Sequence, residues 1–219
     1  IYHQWGYVQK ELIDVETIDD CVDSLCELGT ELFPTSQNFE IWSLPKIIGT
    51  TSGAVLWCKD PNIAIKIRNA RNKRGGGIFV WILRMMAFIN KNFYWLWQGI
   101  ESQKGKLSRI ELFEINNAID EWDEIVNDRK NKLDLLWEFA PKWIEKPLNR
   151  LPCVIPLEFD KFKNNKELNK FKIEVKHFEK RKKNQEINLI KVLPLPIHQD
   201  IPLISLNKIK NALLSLNNY

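Results

Sequence analysis

Thiols, carboxylates, glycine-bracketed turns and clustered cations are the groups in this sequence whose types could do chemistry, and spacing decides what each can do. Cys21, Cys26, Cys58 and Cys153 are scattered, as are His3, His177 and His198. On the helix expected over about Ile18 to Phe33, Cys21 and Cys26 point about 140° apart, so they do not share a metal. No Cys-x2-Cys or His-x3-His pair occurs, and no metal site is expected. The thiols read as reduced rather than as a disulfide scaffold. Asp120, Glu121, Asp123, Glu124 and Asp128 crowd one segment. Asp120, Asp123 and Glu124 share a helix face, as do Glu124 and Asp128. A metal-dependent hydrolase could use such groups, but a solvated acidic face is the expectation. His198-Gln199-Asp200 lies in a Pro-rich loop with no nucleophile placed beside it.

Two glycine-rich turns could meet a phosphate. Gly49-Thr50-Thr51-Ser52-Gly53 lacks the Lys-Ser/Thr of a P-loop. Gly75-Gly76-Gly77 precedes an apolar run and could present amides to an anion, although a hinge is the preferred reading. Ile63-Ala64-Ile65-Lys66 has the form of a kinase strand lysine, but no Asp-Phe-Gly follows. No catalytic residue and no cofactor is therefore assigned.

Clustered cations leave the strongest signal. Lys66, Arg68, Arg71, Lys73 and Arg74 form one patch, flanked by aromatic residues. Lys180, Arg181, Lys182 and Lys183 end a second basic stretch that is interleaved with Phe162, Phe171 and Phe178. Cations neutralise phosphates and exposed rings stack on bases, so nucleic acid is the expected ligand of both patches. No helix-turn-helix, zinc-finger or RNA-recognition signature accompanies them.

The elements that must position these groups are read from periodicity. Thr17 is the expected N-cap of the 18–33 helix, with Asp19 and Asp20 at its positive end. Phe39–Trp42 and Gly53–Cys58 are β-prone, and Asp60-Pro61-Asn62 is a turn signal. Together they predict a hairpin near 53–67 that pairs Val55–Cys58 with Ile63–Ile67. Ile78–Ile89 is apolar nearly all round and fits a buried helix. It is too short for a membrane span, which needs ~20 apolar residues. Ser108 and Glu111 fit a capping box. Behind them Ile115, Ile119, Trp122, Val126, Arg129, Leu133, Leu136 and Ala140 keep a heptad seam with Arg129 as its polar member. One helix of about 45 Å over 109–140 would result. Pro147, Pro152 and Pro156 punctuate a connector at 142–156. Beyond it, 159–183 is basic and reads as helix or strand, Ile187–Leu193 reads as a strand, and Ser205 caps a last amphipathic helix.

The 219 residues carry a net charge of +4, with nine Trp and eleven Phe. Charge alternates in blocks of −7, +9, −6 and +8 over residues 1–60, 61–110, 111–160 and 161–219. The first thirty residues are acidic, and no signal peptide is read there. The expected fold is mainly α with a small β portion, an α+β helical bundle built around the 109–140 helix. Its expected domains are 1–141 and a basic 157–219 region. The expected function is a non-catalytic nucleic-acid-binding subunit of a nucleoprotein assembly, intracellular and cytoplasmic, with other protein subunits as partners. The alternative is a scaffold subunit that docks partners through the long helix and the Trp-rich 93–97 segment. An enzyme ranks third.

Overall fold

A computed structural model describes residues 1–9, 16–72, 78–90, 92–96, 106–163, 166–181 and 187–215. The fold is α+β, with three small sheets rather than a helical bundle. The first sheet has the order β1 (Ile18–Asp20), β3 (Phe39–Ser43), β4 (Ala54–Cys58). β1 runs parallel to β3, with Ile18 opposite Phe39 and Asp20 opposite Ile41, while β3 and β4 are antiparallel. Short β2 (Leu25–Cys26) pairs with β5 (Arg150–Leu151), which draws the early turn onto the late part of the chain. The third sheet has the order β6 (Val154–Glu158), β8 (Ile187–Pro196), β7 (Lys176–Arg181).

The expected helix over 18–33 is β1, a turn and β2. Asp19 does not decorate a helix end. Its carboxylate is buried and binds His3 Nε2 at 3.1 Å and the Thr35 hydroxyl. The expected hairpin also fails. β4 pairs with β3, and Ile63–Ile67 lie inside helix α2 (Pro61–Asn72). Asp60 explains the error. Its Oδ1 accepts from the amides of Asn62 and Ile63 at 2.7 and 3.4 Å, so Asp-Pro here is an N-cap followed by proline in the first turn.

Short α1 (Leu44–Ile48) follows β3 directly, and α3 (Ile78–Ile89) forms as the apolar run suggests. It is not a buried helix: Phe88 and Ile89 are 83% and 89% exposed. No helix among the described residues is long and apolar enough to cross a membrane. The long helix over 109–140 breaks into α4 (Arg109–Asp120) and α5 (Trp122–Leu136), with a 3-10 turn Trp137–Phe139 behind. Glu121, at φ −91° and ψ 7°, interrupts it. The break lets the Trp122 indole donate to the Cys26 carbonyl at 2.9 Å and stack on Trp42. The Ser108–Glu111 capping box at the start of α4 forms in both directions. The basic 159–183 stretch is neither one helix nor one strand, but α6 (Phe159–Phe162), α7 (Lys166–Asn169) and β7. The last helix, α8 (Leu203–Leu214), starts behind Pro202, so Ser205 lies inside it.

One apolar cluster joins these parts. Leu25, Trp42 and Ile47 pack in it with Ile115, Leu133 and Leu136 of the two broken helices, Ile155 and Leu195 of the third sheet, and Leu206 of α8. Burial of this kind supplies the main driving force for folding. Buried Glu40 on β3 is the polar tie within it. Its carboxylate takes Arg150 Nη1 at 2.8 Å and Nη2 at 3.1 Å, the Trp42 indole at 2.5 Å and the Phe33 amide at 2.6 Å. Removing one member of such a pair strands a buried charge, which costs about 3–5 kcal/mol. E40A is expected to lose that much unfolding free energy in urea titration, and a loss below about 1 kcal/mol would show that the pair organises nothing.

Candidate functional site

The carboxyl ends of parallel neighbouring strands are where α/β sheets gather ligands. Here β1 ends at Asp20, opposite Ile41, and β3 runs two residues further to Ser43 in the same direction. The chain leaving β1 continues the ladder for one bond, from the Cys21 amide to the Ile41 carbonyl at 3.0 Å, and then turns. Asp23 stands in that turn. The chain leaving β3 enters α1 at once, and Lys46 projects from it.

The two loops meet through a hydrogen-bonded ion pair. Lys46 Nζ lies 3.0 Å from Asp23 Oδ1, and the Tyr2 hydroxyl donates to Asp23 Oδ2 at 2.6 Å. The Asp23 side chain is only 6% exposed, whereas that of Lys46 is 52% exposed, so the carboxylate is fixed and the amine is reachable. Burial, followed by the bond to Asp23, pushes the Tyr2 phenol well above its ordinary range and keeps it protonated. Gly6 lets the N-terminal turn approach. It sits at φ +97°, and a β-carbon there would come 2.8 Å from Pro152 Cα and 3.1 Å from the Asp23 carbonyl oxygen. Asp20 is half-buried, and among the described residues its Oδ1 accepts from the Val22 amide alone, at 3.3 Å.

Supports close around this group. The turn 49–53 behind Lys46 is tied to α4 through Ser52, which donates to Glu111 at 2.8 Å, and through the Thr51 amide, which donates to Glu114 at 2.6 Å. Arg129 of α5 reaches the backbone of α1, and Gln199 receives the same guanidinium nitrogen. Cys153 lies within electrostatic range of Asp23, Arg129 and Lys46, and burial pushes its thiol up to about 12. A thiol so buried and so basic is no nucleophile at neutral pH. What the arrangement offers is an accessible primary amine beside a fixed carboxylate and a second carboxylate at a strand end. An amine of this kind adds to carbonyl carbon.

The residues singled out from sequence fall elsewhere. Lys66, Arg68 and Arg71 lie exposed on α2. Lys180 is on β7, its ammonium 5.7 Å from the Trp143 ring, and Arg181 ends the same strand. Lys73, Arg74, Lys182, Lys183, Gly75-Gly76-Gly77 and Trp97 lie outside the described residues. Asp120, Asp123 and Glu124 are exposed, and Asp128 pairs with Lys132. Among the described residues no three His, Cys, Asp or Glu side chains gather as a metal site. A groove of about 640 Å³, lined by Tyr7, Trp143, Phe178 and Lys180, includes neither Lys46 nor Asp23. His198-Gln199-Asp200, set aside for want of a nucleophile, packs against the Lys46 turn, since Gln199 Nε2 lies 3.1 Å from where a β-carbon on Gly49 would stand.

Sequence reasoning missed Tyr2, Asp20, Asp23 and Lys46. A signal was present: Ser43-Leu44-Pro45-Lys46 sits between two β-prone runs and ahead of the glycine-bracketed turn. The supposed 18–33 helix hid its partners.

Buried His3 adds a condition on the site's stability. Its Nδ1 accepts from the Gln9 amide at 3.0 Å, so the ring proton sits on Nε2, towards Asp19. Burial holds the imidazole neutral and its pKa below the ordinary 6.5. The unfolded chain therefore takes up a proton that the folded chain refuses, and stability falls as pH drops below about 6.5. The melting temperature is expected to decline from pH 7 to pH 5, and H3Q is expected to flatten that decline. An equal slope in H3Q would assign the dependence to other groups.

A family model described as "Putative PLP-dependent aminotransferase" matches residues 1–215, and the chain belongs to that family. No curated protein and no solved structure matches it. Membership in an enzyme family overturns the expected non-catalytic nucleic-acid-binding subunit, together with the DNA- and RNA-binding role given to its cations. The described members of the Lys and Arg clusters sit on α2 and β7, neither of which carries Lys46 or Asp23, and charge density alone misdirected the reading.

Proposed function

We propose that this member of a PLP-dependent aminotransferase family is an amino-group-transferring enzyme whose cofactor, pyridoxal 5'-phosphate, is held at Lys46. The observation that carries the reading is the 3.0 Å contact of Lys46 with Asp23 at the carboxyl ends of two parallel strands. Such enzymes need a lysine amine for the cofactor's aldehyde and an acidic partner for its ring nitrogen. The donor set fits both needs. Asp23 is already engaged by Lys46 and Tyr2. Asp20, which pairs with no cation among the described residues, is the carboxylate left to hold a proton on the ring nitrogen. Ser43, one turn before Lys46, makes no cap bond through its hydroxyl, which suits a phosphate oxygen. When bound, the cofactor supplies an electron sink for the carbon that carries the amino group.

The chain's own groups do the rest. Lys46 Nζ is the base that takes and returns a proton at the substrate carbon. Asp23 holds that amine in place. Tyr2, kept protonated, fixes the second oxygen of Asp23, so the carboxylate does not swing away. α1 and the 49–53 turn keep the lysine's backbone close to the strand ends.

Incubation with pyridoxal 5'-phosphate, borohydride reduction and peptide mapping test the reading. One modified peptide containing Lys46 is expected, and none from K46A. D20N is expected to retain the attachment yet lose transfer activity on the order of 100-fold, the scale of one lost electrostatic partner. Attachment at another lysine, or none in the unmodified chain, would overturn the proposal.

A further inference from the structure

Arg129 is the polar member of an otherwise apolar helix seam, and its side chain is 0% exposed. Its Nη2 donates to the Lys46 carbonyl at 3.4 Å, to the Ile47 carbonyl at 3.0 Å and to the Gln199 side-chain oxygen. Nε and Nη1 have no hydrogen-bond partner among the described residues. Asp128, Asp200 and Asp23 bear on it electrostatically, but none is hydrogen-bonded to it. Burial lowers its pKa to about 10, which leaves it charged at neutral pH.

A buried charge with no carboxylate in contact among the described residues is poor stabilisation, because desolvation outweighs what two carbonyls and an amide return. An apolar residue would suit the seam better, as Val126, Leu133 and Leu136 do on the same buried face. The contacts that Arg129 does make converge on the last turn of α1. That turn has too few residues to hold itself and ends in unsatisfied carbonyls, where a cation is favoured. Gln199 completes the grip from the far side. Lys132, one turn on, fixes the same loop through the carbonyls of His198 and Gln199, both at 3.3 Å.

We propose that Arg129 is a positioning residue for Lys46. It holds the backbone from which the amine departs, so that Nζ meets Asp23. This deepens the reading of Lys46 as the cofactor lysine, on which its functional meaning rests, but the hold itself is a property of the chain alone.

The closing experiment therefore has one arm without cofactor. Competitive acetylation of the full chain by trace acetic anhydride gives the reactivity of Lys46 relative to Lys176. Lys176 is a fitting reference, because it is 55% exposed and also pairs with a carboxylate, Glu174, at 2.9 Å. In R129M the ratio is expected to change on the order of tenfold, the scale of one charge-assisted hydrogen bond. R129K, which keeps the charge without the fork, should restore part of it. Gln199→Ala should shift the ratio in the same direction as R129M. A purely structural role would lower the melting temperature and leave the ratio alone. An unchanged ratio in folded R129M overturns the proposal. If R129M does not fold, an unchanged ratio in both R129K and Gln199→Ala overturns it.

The second arm adds pyridoxal 5'-phosphate and measures the rate of borohydride-trapped attachment at Lys46. It is expected to fall on the order of 100-fold in R129M, as misplaced reacting groups do. A shifted acetylation ratio with no attachment in the unmodified chain would sink the cofactor reading and leave the hold on Lys46 standing. Equal attachment with an unchanged ratio would sink the hold alone.

Discussion

The parallel ladder between β1 and β3 fixes where Asp20, Asp23 and Lys46 stand. Parallel strands end on the same edge, so the residues that follow them meet without a further organising element. Asp20 and Asp23 follow one strand and Lys46 follows the other. In an antiparallel pairing the same residues would emerge at opposite edges. The ladder spans only three registered pairs. It persists because neighbours hold it: Tyr2 bridges to Asp20 on one flank, and β4 pairs with β3 on the other.

Three buried polar centres surround this edge. His3, Asp19 and Thr35 lock the start of the chain to β1. Glu40 and Arg150 lock β3 to β5. Arg129 locks α5 to α1. Each joins segments far apart in sequence, and each has direction, which apolar contact lacks. The apolar cluster gives the fold its cohesion, and these centres set which loop faces which.

Legibility from sequence followed the range of the interaction. The Ser108 capping box, the helix over Ile78–Ile89, the strand beginning at Phe39 and the strand beginning at Ile187 depend on local signals, and all are present. The heptad seam was legible in part: Ile115, Val126, Arg129, Leu133 and Leu136 are buried, whereas Ile119 is 49% exposed. The seam's continuity was not legible. The break at Glu121 answers to the Cys26 carbonyl, 96 residues away along the chain from Trp122. Tertiary demand also overrode the helical spacing of Ile18, Val22 and Leu25, where Asp19 needed His3 and Thr35 as buried partners. The site was hidden for the same reason. Lys46 and Asp23 have nothing in common in sequence until β1 and β3 pair, and dense cationic runs on α2 and β7 drew the functional reading away.

Gly53 ties the mutational fate of three positions together. At φ +115° it stands where a β-carbon would come 2.9 Å from Ile115 Cδ1 and 3.0 Å from Leu44 Cδ1. Leu44 opens the turn that carries Lys46, and Ile115 belongs to the helix that braces it. A larger residue at 53 becomes tolerable only if 44 and 115 shrink with it, and even then the backbone must leave its left-handed conformation. Substitutions at these three sites are therefore epistatic, and a chimera that inherits the Lys46 turn from one parent and α4 from another will inherit a misfit at its centre.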